Sequence, residues 1–208
     1  MKQLHKPNLW GWSLFNAERN LDFHSVFWKR PAGNLVIDPL PLSEHDAAHL
    51  EQLGGIRDII VTNSDHGRAA IELRDRSSAR VWGPRQEPAF LESLRAEPLG
   101  SDPALGSDLL GPDLELIELH GSKTPGELAL LLDGDTLVTG DLIRGQRAGR
   151  LNLLPDAKLG DKARALDSLE ALARRGGIEA VLVGDGWPVF RGGSAALLEL
   201  LGEARSGR

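Results

Sequence analysis

Several polar side chains directly follow segments that the sequence predicts to be β-strands, and their types determine which chemistry they could perform. Carboxylate oxygens are hard ligands that suit magnesium, calcium or manganese. Imidazole and ammonium groups can give and take protons. The candidate catalytic residues are Asp65, His66, Lys123, Asp141 and Asp185.

Short apolar runs of the sequence are expected to position these side chains. Residues 58–62 form a continuous apolar strand, and the polar turn 63–67 separates it from a following helix. Residues 136–139 and 178–184 are further strands, each followed by a polar turn. This order of strands and helices indicates an α/β or α+β protein, and periodicity alone does not choose between the two.

Other local signals fix turns and helix ends. Ser43 is predicted to cap a helix over residues 43–53, which ends at Gly54. Apolar residues recur at helical spacing over residues 159–175, which predicts an amphipathic helix. The segment 133–135, Asp-Gly-Asp, is a hairpin signal between two apolar runs.

Composition limits the class of protein. A chain of 208 residues with 41% hydrophobic and 26% charged residues is expected to form one soluble globular domain over residues 1–208. A net charge of −6 argues against a general nucleic-acid binder. The absence of cysteine excludes disulfides, thiolate zinc sites and a cysteine nucleophile. No apolar run approaches the roughly 20 residues of a membrane span, and no secretory signal is recognised, so a cytoplasmic location is expected.

Five short segments of the sequence, taken in chain order, carry a family resemblance. They are NLVIDP at 34–39, IIVTNSDHGR at 59–68, GSKTPGE at 121–127, LVTGD at 137–141 and VGDG at 183–186. Together they resemble the metallo-β-lactamase superfamily. The second segment lies where that family has its HxHxDH metal loop, and the third resembles its G-H-T-P-G segment. The fourth resembles the strand that delivers a metal-bridging aspartate, and the last falls at its G-H-G turn.

The resemblance implies a four-layer αβ/βα sandwich of two mixed β-sheets flanked by helices. It also implies hydrolysis by water activated on a di-zinc centre. However, this chain replaces nearly all the family's ligands. The replacements are Asn63 and Asp65 for two histidines, Gly67 for the aspartate, Arg68 for the third histidine, Lys123 for the next and Asp185 for the last. Asp141 keeps the family's ligand type, whereas His66 lies one step off the ligand register. We therefore expect no di-zinc site.

If the fold is as the resemblance implies, Asp65, Asp141 and Asp185 would converge at strand ends. Lys123 and Arg68 could then supply the positive charge that metal ions supply elsewhere in the family, which predicts a salt-bridge network. Two functional alternatives use the same groups. One is a single Mg, Mn or Ca ion held by the oxygens of Asn63, Asp65, Asp141 and Asp185. The other is metal-free acid–base chemistry by Lys123 and His66.

The same region could instead bind a small molecule, in particular an anionic one. Candidate ligand-binding residues are Asn63, Arg68, Arg144, Arg147 and Trp187. Two functions remain open. The preferred one is a non-catalytic ligand-binding or regulatory protein with no cofactor. The alternative is a hydrolase of esters, lactones, thioesters or phosphoesters with a rebuilt site. Neither nucleic acid nor membrane is an expected partner, and the sequence leaves both a monomer and a homodimer open.

Overall fold

The computed structural model describes residues 1–102 and 104–206 of the chain. Contacts divide it into two compact units, Met1–Leu99 and Gly100–Arg208, and each unit is described separately below. The expectation of a single domain over residues 1–208 stays a prediction, and its last two residues lie outside the described part of the chain.

The first unit contains a seven-stranded sheet whose strands follow one another in chain order. The strands are β1 (Lys2–Gln3), β2 (Leu9–Asn16), β3 (Leu21–Trp28), β4 (Leu35–Ile37), β5 (Asp58–Ile60), β6 (Arg80–Pro84) and β7 (Glu97–Leu99). Strands β1 to β4 pair antiparallel, and β4 to β7 pair parallel. Because β4 and β5 are parallel neighbours, the residues that follow them emerge at the same edge of the sheet.

Helices of the first unit pack on this sheet. They are α1 (Glu44–Gln52), α2 (Ala70–Ser77) and α3 (Pro88–Leu94), with a short 3₁₀ helix at Ser64–His66. The predicted start of α1 is confirmed, since the Ser43 side chain accepts a hydrogen bond from the Asp46 amide at 3.1 Å. Buried side chains of the strands, such as Val36 and Ile59, share one core cluster with Leu50 of α1 and Leu73 of α2.

The second unit contains two smaller sheets. The four-stranded sheet has the order β13-β10-β9-β8, and the remaining pair is β11-β12. The strands are β8 (Leu114–Leu119), β9 (Glu127–Leu132), β10 (Thr136–Thr139), β11 (Ile143–Arg147), β12 (Arg150–Leu153) and β13 (Ala180–Val183). The predicted hairpin joins β9 and β10 as an antiparallel pair. Asp133 and Gly134 both have positive φ, as a tight hairpin turn of this kind requires.

The helices of the second unit are α4 (Lys162–Ala173) and α5 (Gly193–Ser206). Helix α4 begins three residues after the predicted start, because the Asp161 side chain caps it by accepting from the Arg164 amide. Leu169 of α4 and Leu197 of α5 lie in one buried cluster with apolar residues of the sheet. The α/β class is confirmed. No helix formed by the described residues is long and apolar enough to cross a bilayer.

Candidate functional site

A buried polar cluster of the first unit lies where β4 and β5 end. Asp38 directly follows β4, adopts φ of 50° and is 2% exposed. Its carboxylate accepts hydrogen bonds from the Thr62 amide and the Thr62 hydroxyl, each at 2.7 Å. Because Thr62 lies two residues beyond β5, the carboxylate ties together the chain segments that leave the two parallel strands.

The same carboxylate orients His66, which is 2% exposed. Its Nδ1 lies 2.7 Å from Asp38 Oδ2 and 3.1 Å from the Thr62 hydroxyl. This contact favours the tautomer in which Nδ1 carries the proton and donates it to Asp38. The other ring nitrogen, Nε2, then has the lone pair that a base or a metal ligand needs.

The three other candidates of this loop, Asn63, Asp65 and Arg68, have different surroundings. The Asn63 side chain is buried and accepts from the Asp65 amide at 2.9 Å, so it caps the short 3₁₀ helix. Asp65 itself is exposed. Arg68 places its guanidinium 5.0 Å from the centre of the Phe23 ring and donates to the His24 carbonyl at 3.0 Å. Its charge is thus directed toward β3.

In the second unit the structure brings Lys123 and Asp141 together. Lys123 lies in the loop between β8 and β9, and Asp141 follows β10. The ammonium nitrogen is 3.0 Å from Asp141 Oδ2. The Asp141 side chain is 1% exposed, whereas that of Lys123 is 21% exposed. The buried carboxylate therefore has a cationic partner that is itself within reach of solvent.

Asp185 forms a second buried ion pair, and its partner is Arg144. Arg144 is 4% exposed and Asp185 is 2% exposed. Arg144 was a candidate ligand-binding residue in the sequence, and in the structure its guanidinium is buried against this carboxylate.

A parallel β-bridge next to this ion pair joins two glycines, Gly145 and Gly186. Gly145 donates its amide to the Asp185 carbonyl at 3.1 Å, and its carbonyl accepts from the Trp187 amide at 2.5 Å. A Cβ atom on Gly145 would overlap the Trp187 carbonyl, and one on Gly186 would overlap the Gly145 carbonyl. Larger residues would therefore separate the two segments, and with them the residues on either side, Arg144 and Asp185.

Glu127 was not among the candidates predicted from the sequence. It follows Lys123 in the chain, at the start of β9. Its carboxylate is 1% exposed and accepts from the Ser122 hydroxyl at 2.5 Å and from the Leu142 amide at 2.8 Å. The only sequence signal was its place at the end of the GSKTPGE segment. Two remaining candidates of this unit, Arg147 and Trp187, are exposed, Trp187 by 58%.

A family model described as metallo-beta-lactamase superfamily matches residues 1–204. The chain belongs to this superfamily. Solved structures of the superfamily are similar over nearly the whole chain. The DIM-1 metallo-beta-lactamase has 15% identity and a TM-score of 0.71, over 99% of this chain and 97% of that one. VMB-1 has 13% identity and a TM-score of 0.72, over 100% and 99%.

The mono-zinc form of the metallo-beta-lactamase FIM-1 from Pseudomonas aeruginosa has 13% identity and a TM-score of 0.70, over 98% of this chain and 95% of that one. At such low identity these likenesses establish the fold and nothing finer. The predicted metallo-β-lactamase fold is thereby confirmed. No curated protein is significantly similar to the chain.

Members of the metallo-β-lactamase superfamily usually bind zinc, but the residues at the ligand positions of this chain do not fit a di-zinc centre. Such a centre needs neutral imidazoles and free carboxylates about 2 Å from each ion. Here Lys123 and Arg68 are cations, and the Asn63 side-chain oxygen caps a helix. Asp185, where the family has its last histidine, is already paired with Arg144.

Proposed function

We propose that this chain is a non-catalytic ligand-binding or regulatory member of the metallo-β-lactamase superfamily. The proposal depends on two ion pairs in the second unit. Asp141 is neutralised by Lys123, and Asp185 is neutralised by Arg144. Side-chain cations thus supply the charge that metal ions supply in hydrolytic relatives, and no activated water follows from them.

The two cations differ in how firmly they are held. Lys123 is partly exposed and has a flexible side chain, so it could move away from Asp141. Arg144 is buried, carries a guanidinium that stays charged in proteins, and directly precedes Gly145, which forms a parallel β-bridge with Gly186. A divalent ion at Asp185 would lie against this permanent positive charge. The arrangement therefore opposes zinc and also opposes the alternative of one Mg, Mn or Ca ion.

A small anionic molecule is the ligand class that the second unit suits best. Lys123 presents a partly exposed ammonium group, and Arg147 presents an exposed guanidinium. Trp187 adds an exposed indole ring that could cover a flat ligand. Charge attraction and contact with the ring would together bind an anionic ligand without catalysing a reaction.

A hydrolase that works without metal is the second candidate, and the Asp38–His66 contact is the observation that favours it. A buried carboxylate at 2.7 Å from Nδ1 leaves Nε2 as the accepting nitrogen of the ring. General-base catalysis by such an imidazole typically contributes about 10²–10⁴ in rate. Substrates would be esters, lactones, thioesters or phosphoesters.

A substrate panel separates the two candidates. Protein purified without a metal-chelating tag is assayed against chromogenic esters, lactones, thioesters and phosphoesters, with EDTA or with added Zn, Mn, Mg or Ca. We expect no turnover above the rate of the doubly substituted control Lys123→Ala/His66→Gln. In parallel, small carboxylates and phosphates are screened for a rise in melting temperature, which we expect to depend on Lys123.

Turnover that persists in EDTA and disappears in His66→Gln would reject the non-catalytic proposal in favour of the metal-free hydrolase. Turnover that requires added Mn, Mg or Ca would reject it in favour of the hard-metal alternative, and turnover that requires added zinc would reject it in favour of zinc-dependent hydrolysis. The Asp75→Ala variant serves as the control for nonspecific effects, because Asp75 is 63% exposed and pairs with its neighbour Arg74.

A further inference from the structure

We infer that Glu127 is a positioning residue that holds Lys123 against Asp141. The inference rests on the proposed role of that ion pair. Two of its hydrogen bonds reach the loops that carry the pair. Glu127 acts on the chain neighbours of the pair, Ser122 and Leu142, and so sets the separation of the two loops.

The geometry of Glu127 suits this role. Its side chain lies at the start of β9 and is 1% exposed. One carboxylate oxygen, Oε2, accepts from the Ser122 hydroxyl at 2.5 Å, and the other, Oε1, accepts from the Leu142 amide at 2.8 Å. Ser122 directly precedes Lys123, and Leu142 directly follows Asp141. A single carboxylate therefore bridges the two loops that carry the pair.

Glu127 bonds to the loop that carries Asp141 at a residue beyond the pairing of β9 with β10. The antiparallel pairing of β9 with β10 extends no further than Leu130 and Val138. Leu142 lies beyond this ladder, and its buried amide needs an acceptor from elsewhere. Glu127 supplies this acceptor for the amide, while the Leu142 carbonyl accepts from the Leu154 amide at 2.9 Å.

The first loop is anchored on its other side by the start of α4. Gly160 donates its amide to the Ser122 carbonyl at 3.0 Å, and Asp161 donates to the Gly121 carbonyl at 3.3 Å. Gly121 has φ of 82°, and a Cβ there would overlap the backbone of Asp161. The segment before α4 therefore fixes the backbone at Ser122. The hydrogen bond from the Ser122 hydroxyl to Glu127 then determines how far Leu142 lies from Ser122.

The experiment is a double-mutant cycle of Lys123→Met and Asp141→Asn, measured by denaturant unfolding in three backgrounds. The backgrounds are the natural chain, Glu127→Ala and Glu127→Gln. We expect a favourable coupling between Lys123 and Asp141 in the natural chain, its loss in Glu127→Ala, and its retention in Glu127→Gln. The glutamine can still accept from the Leu142 amide, and its own amide group can donate to the Ser122 hydroxyl.

A purely structural role for Glu127 would lower the stability of all four members of the cycle equally and leave the coupling unchanged. That result would overturn the inference, as would a natural chain with no coupling. If Glu127→Ala does not fold, Ser122→Ala removes one of the two bonds and should reduce the coupling. Ser194→Ala is the matched control, because it removes the hydroxyl that bonds the Ile178 backbone in the same unit. It should lower stability and leave the coupling intact.

The cycle and the substrate panel can fail separately. Turnover or metal dependence would contradict the proposed function while the coupling could still depend on Glu127. A coupling that persists in Glu127→Ala would contradict the positioning role, while the protein could still lack hydrolase activity.

Discussion

Replacing Arg144 with alanine is expected to lower the free energy of unfolding by about 3–5 kcal/mol, the usual cost of removing one partner from a buried ion pair. Arg144 is 4% exposed and Asp185 is 2% exposed. Without the guanidinium, the Asp185 carboxylate loses its counter-charge in a place that water reaches poorly. The loss is measured by chemical denaturation with a slope that stays constant among variants.

The double variant Arg144→Met/Asp185→Leu should recover most of this stability, because apolar residues of similar volume often replace a buried ion pair at little cost. Arg147→Ala is the matched control on the same strand. Arg147 is exposed, so its removal should change the free energy of unfolding by no more than about 0.5 kcal/mol. Equal losses for Arg144→Ala and Arg147→Ala would show that the buried pair does not neutralise Asp185 as described.

Replacing Asp38 with alanine is expected to cost about 3 kcal/mol or more. Three donors would lose their acceptor: the Thr62 amide, the Thr62 hydroxyl and Nδ1 of His66. Each buried donor left without a partner costs about 1–3 kcal/mol. The exposed Asp75 provides the matched control, whose change to alanine should cost less than about 1 kcal/mol.

Asp38→Asn separates stability from the orientation of His66. Asparagine tolerates the positive φ of this position and can still accept from the Thr62 amide. Its amide group, however, donates to Nδ1, which should move the imidazole proton to Nε2. Nitrogen NMR of the ring detects this change of tautomer. An unchanged tautomer in Asp38→Asn would mean that Asp38 does not control His66.

Local signals predicted much of the fold. The Ser43 cap, the Asp133–Gly134 turn and the end of the strand before Asp141 all arise from residues close in sequence. The family resemblance rested on such segments, and it extended correctly to the whole fold. Helix α3 and the β11-β12 hairpin were missed, because short elements with polar ends have no clear periodicity.

The pairing of the polar groups was harder to predict, because it depends on long-range geometry. The sequence indicated that Lys123 would neutralise aspartates, and the contact with Asp141 is of that kind. Arg144 and Asp185 lie beside a parallel β-bridge between Gly145 and Gly186, and no local pattern predicts it. The contact of Asp38 with His66 likewise joins residues that are 28 positions apart.

Zinc content is the most direct test of the claim that ion pairs have replaced the metal centre. The protein is produced without a chelating tag in medium that contains zinc, and metal per chain is measured by elemental analysis. We predict zinc far below one ion per chain and no change in melting temperature when zinc is added. Two zinc ions retained per chain through dialysis would contradict the account. Asp141 and Asp185 would then bind metal and would not be paired with Lys123 and Arg144.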